Sequence, residues 1–295
     1  MLMSKNYLLV ALLILACSLG RASATTVVYA VTPNGMVIGA DGKTVPSGTA
    51  VKIFLLKNRL VVADIYTESG KADNGATKDY DFPLWIKQID SNTSPKVSVS
   101  GMTEIISNQM TSTFAFAIGA IERGVLTKEK AAAMGVEAYL VQYVVAGYEN
   151  GIPTVYSLTL MPDWDTRCVN GPLKVLLNPE KGQNTNSRIF WRGQGVGLKQ
   201  VKVADTTEHK ELAARIPVEF QVIGNGKDLT LDQASTVVRA LLGIEAKANP
   251  KLVGFPITVV TVPRIGGGWV RTYKNDAPAV SGFPEGPQGK QKQEK

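Results

Sequence analysis

Histidine is almost missing from this sequence: His209 is the single one in 295 residues. A chain with one imidazole cannot assemble a multi-histidine zinc site. A serine–histidine–aspartate triad would have to recruit His209, which sits in the charged run Glu208-His209-Lys210-Glu211 and reads as solvated surface. A hydrolase built on this chain would therefore use a base other than imidazole. Cysteine is nearly as scarce, at Cys17 and Cys168. Cys17 falls in an N-terminal apolar run, and loss of that run leaves Cys168 without a disulfide partner, either as a small buried residue or as an unpaired thiol. No metal or cofactor is expected. Long apolar runs are absent too. Tyr7 to Leu19 is shorter than the ~20 residues that cross a bilayer, and nothing later is long enough. The net charge of +7 is modest and dispersed, with its densest cluster, Lys290, Lys292 and Lys295, in a polar tail. Without an interleaved basic–aromatic stretch, a nucleic-acid partner is not expected.

What is present begins with an export signal. Lys5 supplies a positive start, Tyr7 to Leu19 an uncharged apolar run, and Ala22 and Ala24 the A-x-A positions before a cleavage site. Residues 1–24 are expected to be a signal peptide, giving an exported protein, periplasmic or secreted, that starts at Thr25. The rival is Ile14-Leu15-Ala16-Cys17, close to a lipobox, which would anchor the protein by lipid at Cys17 and leave Thr25 inside the chain.

Two hairpins frame the first part of the mature chain. Val27–Val31 and Met36–Ala40 flank Thr32-Pro33-Asn34-Gly35, a strong turn sequence. Lys52–Leu56 and Leu60–Tyr66 flank Lys57-Asn58-Arg59, and a polar loop is expected over 68–80. Helices are predicted over Phe82–Ile89 and Met102–Arg123, the second ending at Gly124, with Thr127 opening a short Ala-rich turn of helix. Ala138–Ala146 and Pro153–Met161 read as a third hairpin, joined by residues 147–152. Asp163–Asn186 reads as an irregular inserted loop, and Arg188–Arg192 as a strand. Thr230 and Gln233 have capping-box spacing at the head of a helix running through Ile244. Ile257–Val262 and Trp269–Thr272 form a last hairpin. A Pro/Gly/Lys/Gln-rich tail from Asn275 is expected to be disordered. Grouped strands and grouped helices predict antiparallel sheets with helices packed outside.

The chemistry lies at the start. Cleavage after Ala24 would give Thr25 a hydroxyl and a free α-amine on one residue. Such an amine has a pKa of ~7.7–8.0 and accepts a proton near neutrality with little tuning. This is nucleophile activation without histidine. A turn centred near Pro33 and Asn34 sets Thr25 opposite Asp41 or Gly42, with cross-strand Cβ atoms ~4.5–5.5 Å apart. Asp41 thus returns to the chain start, although Asp-Gly alone also reads as an ordinary turn. Lys52 opens the next strand pair, where it reads either as part of the site or as a surface lysine paired with Asp64.

Thr25-Thr26-Val27-Val28, then Gly35-Met36-Val37-Ile38-Gly39-Ala40-Asp41-Gly42, then Lys52-Ile53, resembles the start of a proteasome β-type subunit, a member of the N-terminal nucleophile (Ntn) hydrolases. Gly147-Tyr148, Gly151-Ile152-Pro153 and Thr230-Leu231-Asp232-Gln233-Ala234 agree more weakly, and the likeness spans Thr25 to Tyr273. The resemblance implies an α+β fold, a four-layer αββα sandwich with two antiparallel sheets, formed by one domain over 25–274. It implies a threonine-type peptidase, with Thr25 as nucleophile and its α-amine as base. Lys52 would depress the amine pKa and Asp41 would orient Lys52. The partners implied are a peptide or protein substrate and further copies of the chain. The sequence departs from the family pattern at three places. Gly193-Gln194-Gly195 stands for Gly-Ser-Gly, Asn249 and Leu252 for an Asp and a Ser, and Tyr66-Thr67 for Gly-Gly. Two alternatives therefore stay open: an inactive assembly or binding protein of the same fold, and an amidase acting on a small amide.

Overall fold

The computed structural model describes residues 25–43, 51–67, 82–133, 140–181, 187–193 and 195–275. The expected signal peptide with its lipobox-like rival, the polar loop expected over 68–80, and the tail beyond Asn275 lie outside them.

Alternation along the first strand decides the architecture. In β1 (Thr26–Thr32), Val27, Tyr29 and Val31 face one apolar cluster, and Val28 and Ala30 face another. A strand buried on both faces must lie between two layers. β1 pairs antiparallel with β2 (Gly35–Asp41), and β2 with β9 (Ile257–Pro263), whose other neighbour is β10 (Trp269–Tyr273). On its other side β1 pairs with β8 (Arg188–Gly193), giving the order β10-β9-β2-β1-β8.

The second sheet has the order β3-β4-β5-β6-β7, again antiparallel throughout. It comprises β3 (Ile53–Leu55), β4 (Val61–Thr67), β5 (Val141–Glu149), β6 (Ile152–Met161) and β7 (Leu173–Lys181). Val27, Tyr29, Met36, Ile38, Val61, Ala63, Val144 and Val260 meet in the layer between the sheets.

Helices cover both outer faces. Over the second sheet lie α1 (Phe82–Asn92), α2 (Val99–Thr113), α3 (Ala115–Glu122) and α4 (Lys128–Ala133). Met102, Ile106 and Met110 of α2 pack on Tyr143, Val145 and Leu158 of that sheet. Over the first sheet lie α5 (Val196–Val201), α6 (Thr207–Arg215), α7 (Pro217–Gly224) and α8 (Leu231–Ala248). Val237, Val238, Leu241 and Leu242 of α8 pack on Val28, Ala30 and Val37. The layers therefore run helix, sheet, sheet, helix, the α+β sandwich expected from the sequence.

Several local expectations are corrected. The long helix over Met102–Arg123 is two helices: Phe114 leaves helical geometry at φ −95°, ψ 13° and divides α2 from α3. The third hairpin turns tightly at Asn150-Gly151, both with positive φ, so Gly147 to Glu149 and Ile152 belong to its strands. The stretch expected to be an inserted loop contains β7, which pairs along β6. The region between β8 and α8, given no elements by periodicity, holds three short helices. His209 lies on α6, half-buried, with Nδ1 2.9 Å from the Val201 carbonyl and its ring edge-on to Phe220 at 5.2 Å. The capping box is present at Thr230 and Gln233, and α8 runs four residues past Ile244 to Ala248.

Cys168 is buried, at 2% exposure. Its Sγ accepts the Asp163 N–H at 3.2 Å in a turn where Cys168 has φ 57°. Burial pushes the thiol up from its ordinary value, which lowers the thiolate fraction. In protein starting at Thr25, where Cys168 is the sole thiol, iodoacetamide should label the folded chain slower than the denatured chain by roughly two orders of magnitude. Equal rates followed by mass spectrometry would show the thiol to be open.

Candidate active site

The register of the first hairpin fixes the site. Val27 lies opposite Ala40 and Thr32 opposite Gly35, so the next pair outward sets Thr26 opposite Asp41. Thr25 precedes β1 directly and Asp41 ends β2. The Thr26 N–H donates to Asp41 Oδ1 at 2.9 Å. The other oxygen, Oδ2, accepts the N–H groups of Lys43 at 3.1 Å and Gly254 at 3.3 Å. Gly42 N–H in turn donates to the Gly254 carbonyl at 3.3 Å. One carboxylate thus joins the entry to β1, the end of β2 and the loop that leads from α8 into β9.

Lys52 approaches from the other sheet. It stands immediately before β3, and its carbonyl accepts the Asp64 N–H at 2.8 Å. Its side chain is only 3% exposed, so the surface reading is corrected. Nζ lies 3.7 Å from Asp41 Oδ2 and donates to the Lys43 carbonyl. Burial pushes the Lys52 ammonium down from its ordinary value, and Asp41 and Asp64 pull it back up. Burial likewise pushes the Asp41 carboxyl up, against the opposing pull of Lys52 and three backbone N–H groups. Asp64, the partner considered from sequence, is itself buried and acts on Lys52 from the β4 side.

Thr25 is 1% exposed, and its Oγ1 is buried with no hydrogen-bond partner among the described residues. Leaving such a hydroxyl unpaired costs about 1–3 kcal/mol. Gly193, at the end of β8, lies over it. Gly193 has φ +83°, and a Cβ built there would fall 2.0 Å from the Thr25 carbonyl oxygen and 2.8 Å from Ile65 Cγ2. Only glycine fits, on both conformational and steric grounds. Ile65 itself sits at a register irregularity in β4, between Asp64 and Tyr66. Tyr66 and Thr67 are strand residues, opposite Gln142 and Val141.

The structure therefore brings Thr25, Asp41 and Lys52 to one end of the sandwich. Asn249 and Leu252 are found at the end of α8 and in the turn after it. Asn249 N–H donates to the Glu245 carbonyl at 2.8 Å, and its own carbonyl accepts the N–H groups of Leu252 and Val253. Both residues shape the loop that delivers Gly254 to Asp41.

Glu245 went unnoticed in the sequence. This fully buried carboxylate accepts the N–H groups of Val196 at 3.0 Å, Gly197 at 2.8 Å and Leu198 at 3.1 Å. The glycine-rich run Gly193-Gln194-Gly195-Val196-Gly197 superficially suggests a phosphate cradle, but an internal carboxylate already fills that position. Three amides bonded to one carboxylate from 48 residues away leave no local pattern.

A cleft of about 540 Å³ lies among the β3–β4 turn, the head of α2 and the β5–β6 turn, lined by Arg59, Ser98, Ser100 and Tyr148 among others. Its serine hydroxyls bond each other at 2.9 Å, and Ser98 caps α2 through the Gly101 N–H. Burial pushes the Tyr148 phenol up to about 12. These groups serve structure, and nothing there matches the constellation at Thr25. A second pocket, of about 450 Å³, adjoins the site at Lys43, Pro250, Val253 and Gly254.

Breaking a buried pair leaves one uncompensated charge. Asp41→Asn should destabilise the protein by about 3–5 kcal/mol, and Lys52→Met should also destabilise it. The double variant should recover part of the sum, because the lone buried charge is gone. A denaturation double-mutant cycle checks this, and strictly additive costs would mean that the two groups do not interact.

No protein-family model matches the chain, and no curated protein sequence does. Among solved structures, an Anbu mutant from Hyphomicrobium sp. strain MC1 is similar at 14% sequence identity and a TM-score of 0.40, over 86% of this chain and 88% of that one.

Proposed function

We propose that this protein is an exported N-terminal-threonine hydrolase acting on peptide bonds. The observation that carries the reading is the Asp41 carboxylate, which holds the backbone of Thr26 with one oxygen and stands 3.7 Å from the Lys52 ammonium with the other. The ammonium thus shares a carboxylate with the residue after Thr25, whose own hydroxyl is buried and without a partner among the described residues.

The chemistry follows once the chain starts at Thr25. The neutral α-amine takes the proton from its own Oγ1 as that oxygen attacks a peptide carbonyl. The resulting ammonium then protonates the leaving amine, and an acyl-enzyme ester remains on Thr25. Water, deprotonated by the same amine, hydrolyses the ester and restores the site. A nearby ammonium favours the neutral amine and so lowers its pKa. Asp41 favours the charged form of Lys52 against the opposing effect of burial. Backbone N–H groups lining it would meet the developing oxyanion.

With Ala24 still attached, the base is an amide nitrogen and the mechanism has no proton acceptor. Signal-peptide cleavage would then be both release and activation. The rival reading, an inactive binding or assembly protein, draws on Leu252, an apolar residue where the resemblance expects a serine.

Exported protein should begin at Thr25 by N-terminal sequencing. An electrophile that captures a hydroxyl and its adjacent amine should add to Thr25, as read by mass spectrometry. Thr25→Ala should abolish turnover and Thr25→Ser should retain a measurable part. The rate should rise with pH as the amine loses its proton, below the ordinary ~7.7–8.0. Lys52→Met, by removing the cation, should shift that rise to higher pH. Hydrolysis that survives Thr25→Ala excludes the mechanism, and intact Thr25 after the electrophile favours the inactive protein.

A further inference from the structure

We infer that Glu245 is a positioning residue for the wall of the active site that faces Thr25; this rests on the hydrolase reading above. Four observations carry it. The first is the carboxylate's isolation from solvent, at 0% exposure, on the last turns of α8. The second is the destination of its oxygens: Oε1 takes the Val196 N–H, and Oε2 takes those of Gly197 and Leu198. These amides open α5, two to four residues beyond Gln194.

The third is Gly193, which begins the same short segment and touches the Thr25 carbonyl so closely that no side chain fits. The amides that Glu245 holds therefore begin three residues along the chain from the contact with Thr25. The fourth is Gly197. A Cβ there would lie 2.8 Å from the Ala248 Cβ, 3.3 Å from the Ile244 carbonyl and 3.4 Å from Glu245 Oε2. The contact between α5 and α8 is thus made by backbone, without a compliant side chain between them.

The same end of α8 also controls the opposite wall. Asn249 closes the helix, orders Leu252 and Val253, and brings Gly254 to Asp41 Oδ2. One turn of helix therefore holds the head of α5 through the Glu245 side chain and reaches Asp41 through the backbone. Glu245 touches no reacting atom and acts through the placement of residues 196–198. Misplacement of a catalytic wall by about 1 Å can cost 10²-fold in rate.

Glu245→Gln tests this with little change of shape, since it keeps one carbonyl acceptor and turns the other oxygen into a donor facing backbone N–H groups. Turnover of fluorogenic peptide amides by the mature protein gives kcat and KM, and hydrogen exchange by mass spectrometry gives the protection of residues 195–201. The expected result is faster exchange in that segment, kcat lower by roughly ten- to hundredfold, and KM within about twofold of wild type. Glu245→Ala should lose at least as much, so that the glutamine variant stands as a partial rescue. Wild-type kcat in Glu245→Gln, or unchanged exchange at 195–201, overturns the role of Glu245 alone. A wild-type protein without Thr25-dependent turnover sinks the hydrolase reading, and the positioning role with it, whatever the exchange shows.

Discussion

A buried carboxylate must find donors, and Asp41 finds four from three parts of the fold. Thr26, Lys43 and Gly254 supply backbone N–H groups, and Lys52 supplies an ammonium from the other sheet. Taking a carboxylate and an ammonium out of water carries a desolvation cost of several kcal/mol per ion. That cost is tolerable only when the remaining lone pairs and protons are satisfied. The arrangement is therefore cooperative. The β1–β2 register, the loop after α8 and the approach of β3 must all be correct at once, or the pair becomes a liability. Thr25 needs no bonds of its own to be located, because its neighbour is tied to this carboxylate.

The two-sheet architecture explains why such a pair can exist at the end of the sandwich. Both sheets bury their facing sides, and the layer between them is apolar along its length. Charged groups can enter only where strands begin and end. Asp41 ends β2, Lys52 precedes β3 and Thr25 precedes β1. All three are nevertheless buried, so their polar atoms must be satisfied within the protein. α8 covers the outer face of the same hairpin, so a helix, two strands and a loop meet around one point.

The parts of this that were legible in sequence are those with short-range causes. Thr32-Pro33-Asn34-Gly35 fixes a turn, and a turn fixes register, so Asp41 could be returned to the chain start by counting. Apolar alternation marked both partners of that hairpin, and Thr230 with Gln233 marked the head of α8 because a capping box is local. The illegible parts have causes distant in sequence. β7 contains Lys174, Asn178, Pro179, Glu180 and Lys181, and reads as loop because it is an edge strand with one paired side. α5, α6 and α7 are too short for a period to emerge. Lys52 looked superficial because nothing in its own strand reveals that Asp41 waits in the opposite sheet. Glu245 is harder still: an acidic residue late in an amphipathic helix reads as solvated face, and the three backbone amides that donate to it lie 47 to 49 residues earlier.

The distribution of satisfied and unsatisfied groups carries the last step. Around Thr25 the carboxylates are well served: Asp41 by four donors, Glu245 by three. The hydroxyl of Thr25 is the exception, buried and unpartnered among the described residues. The imbalance has a direct chemical meaning if the residue is the new chain start. Cleavage of the peptide bond before it would create an amine on the same residue, opening a partner for the oxygen within its own backbone. The neighbouring cation would hold that amine neutral enough to act. The proton acceptor missing from a chain with one histidine would then be made by processing, from an atom already in place.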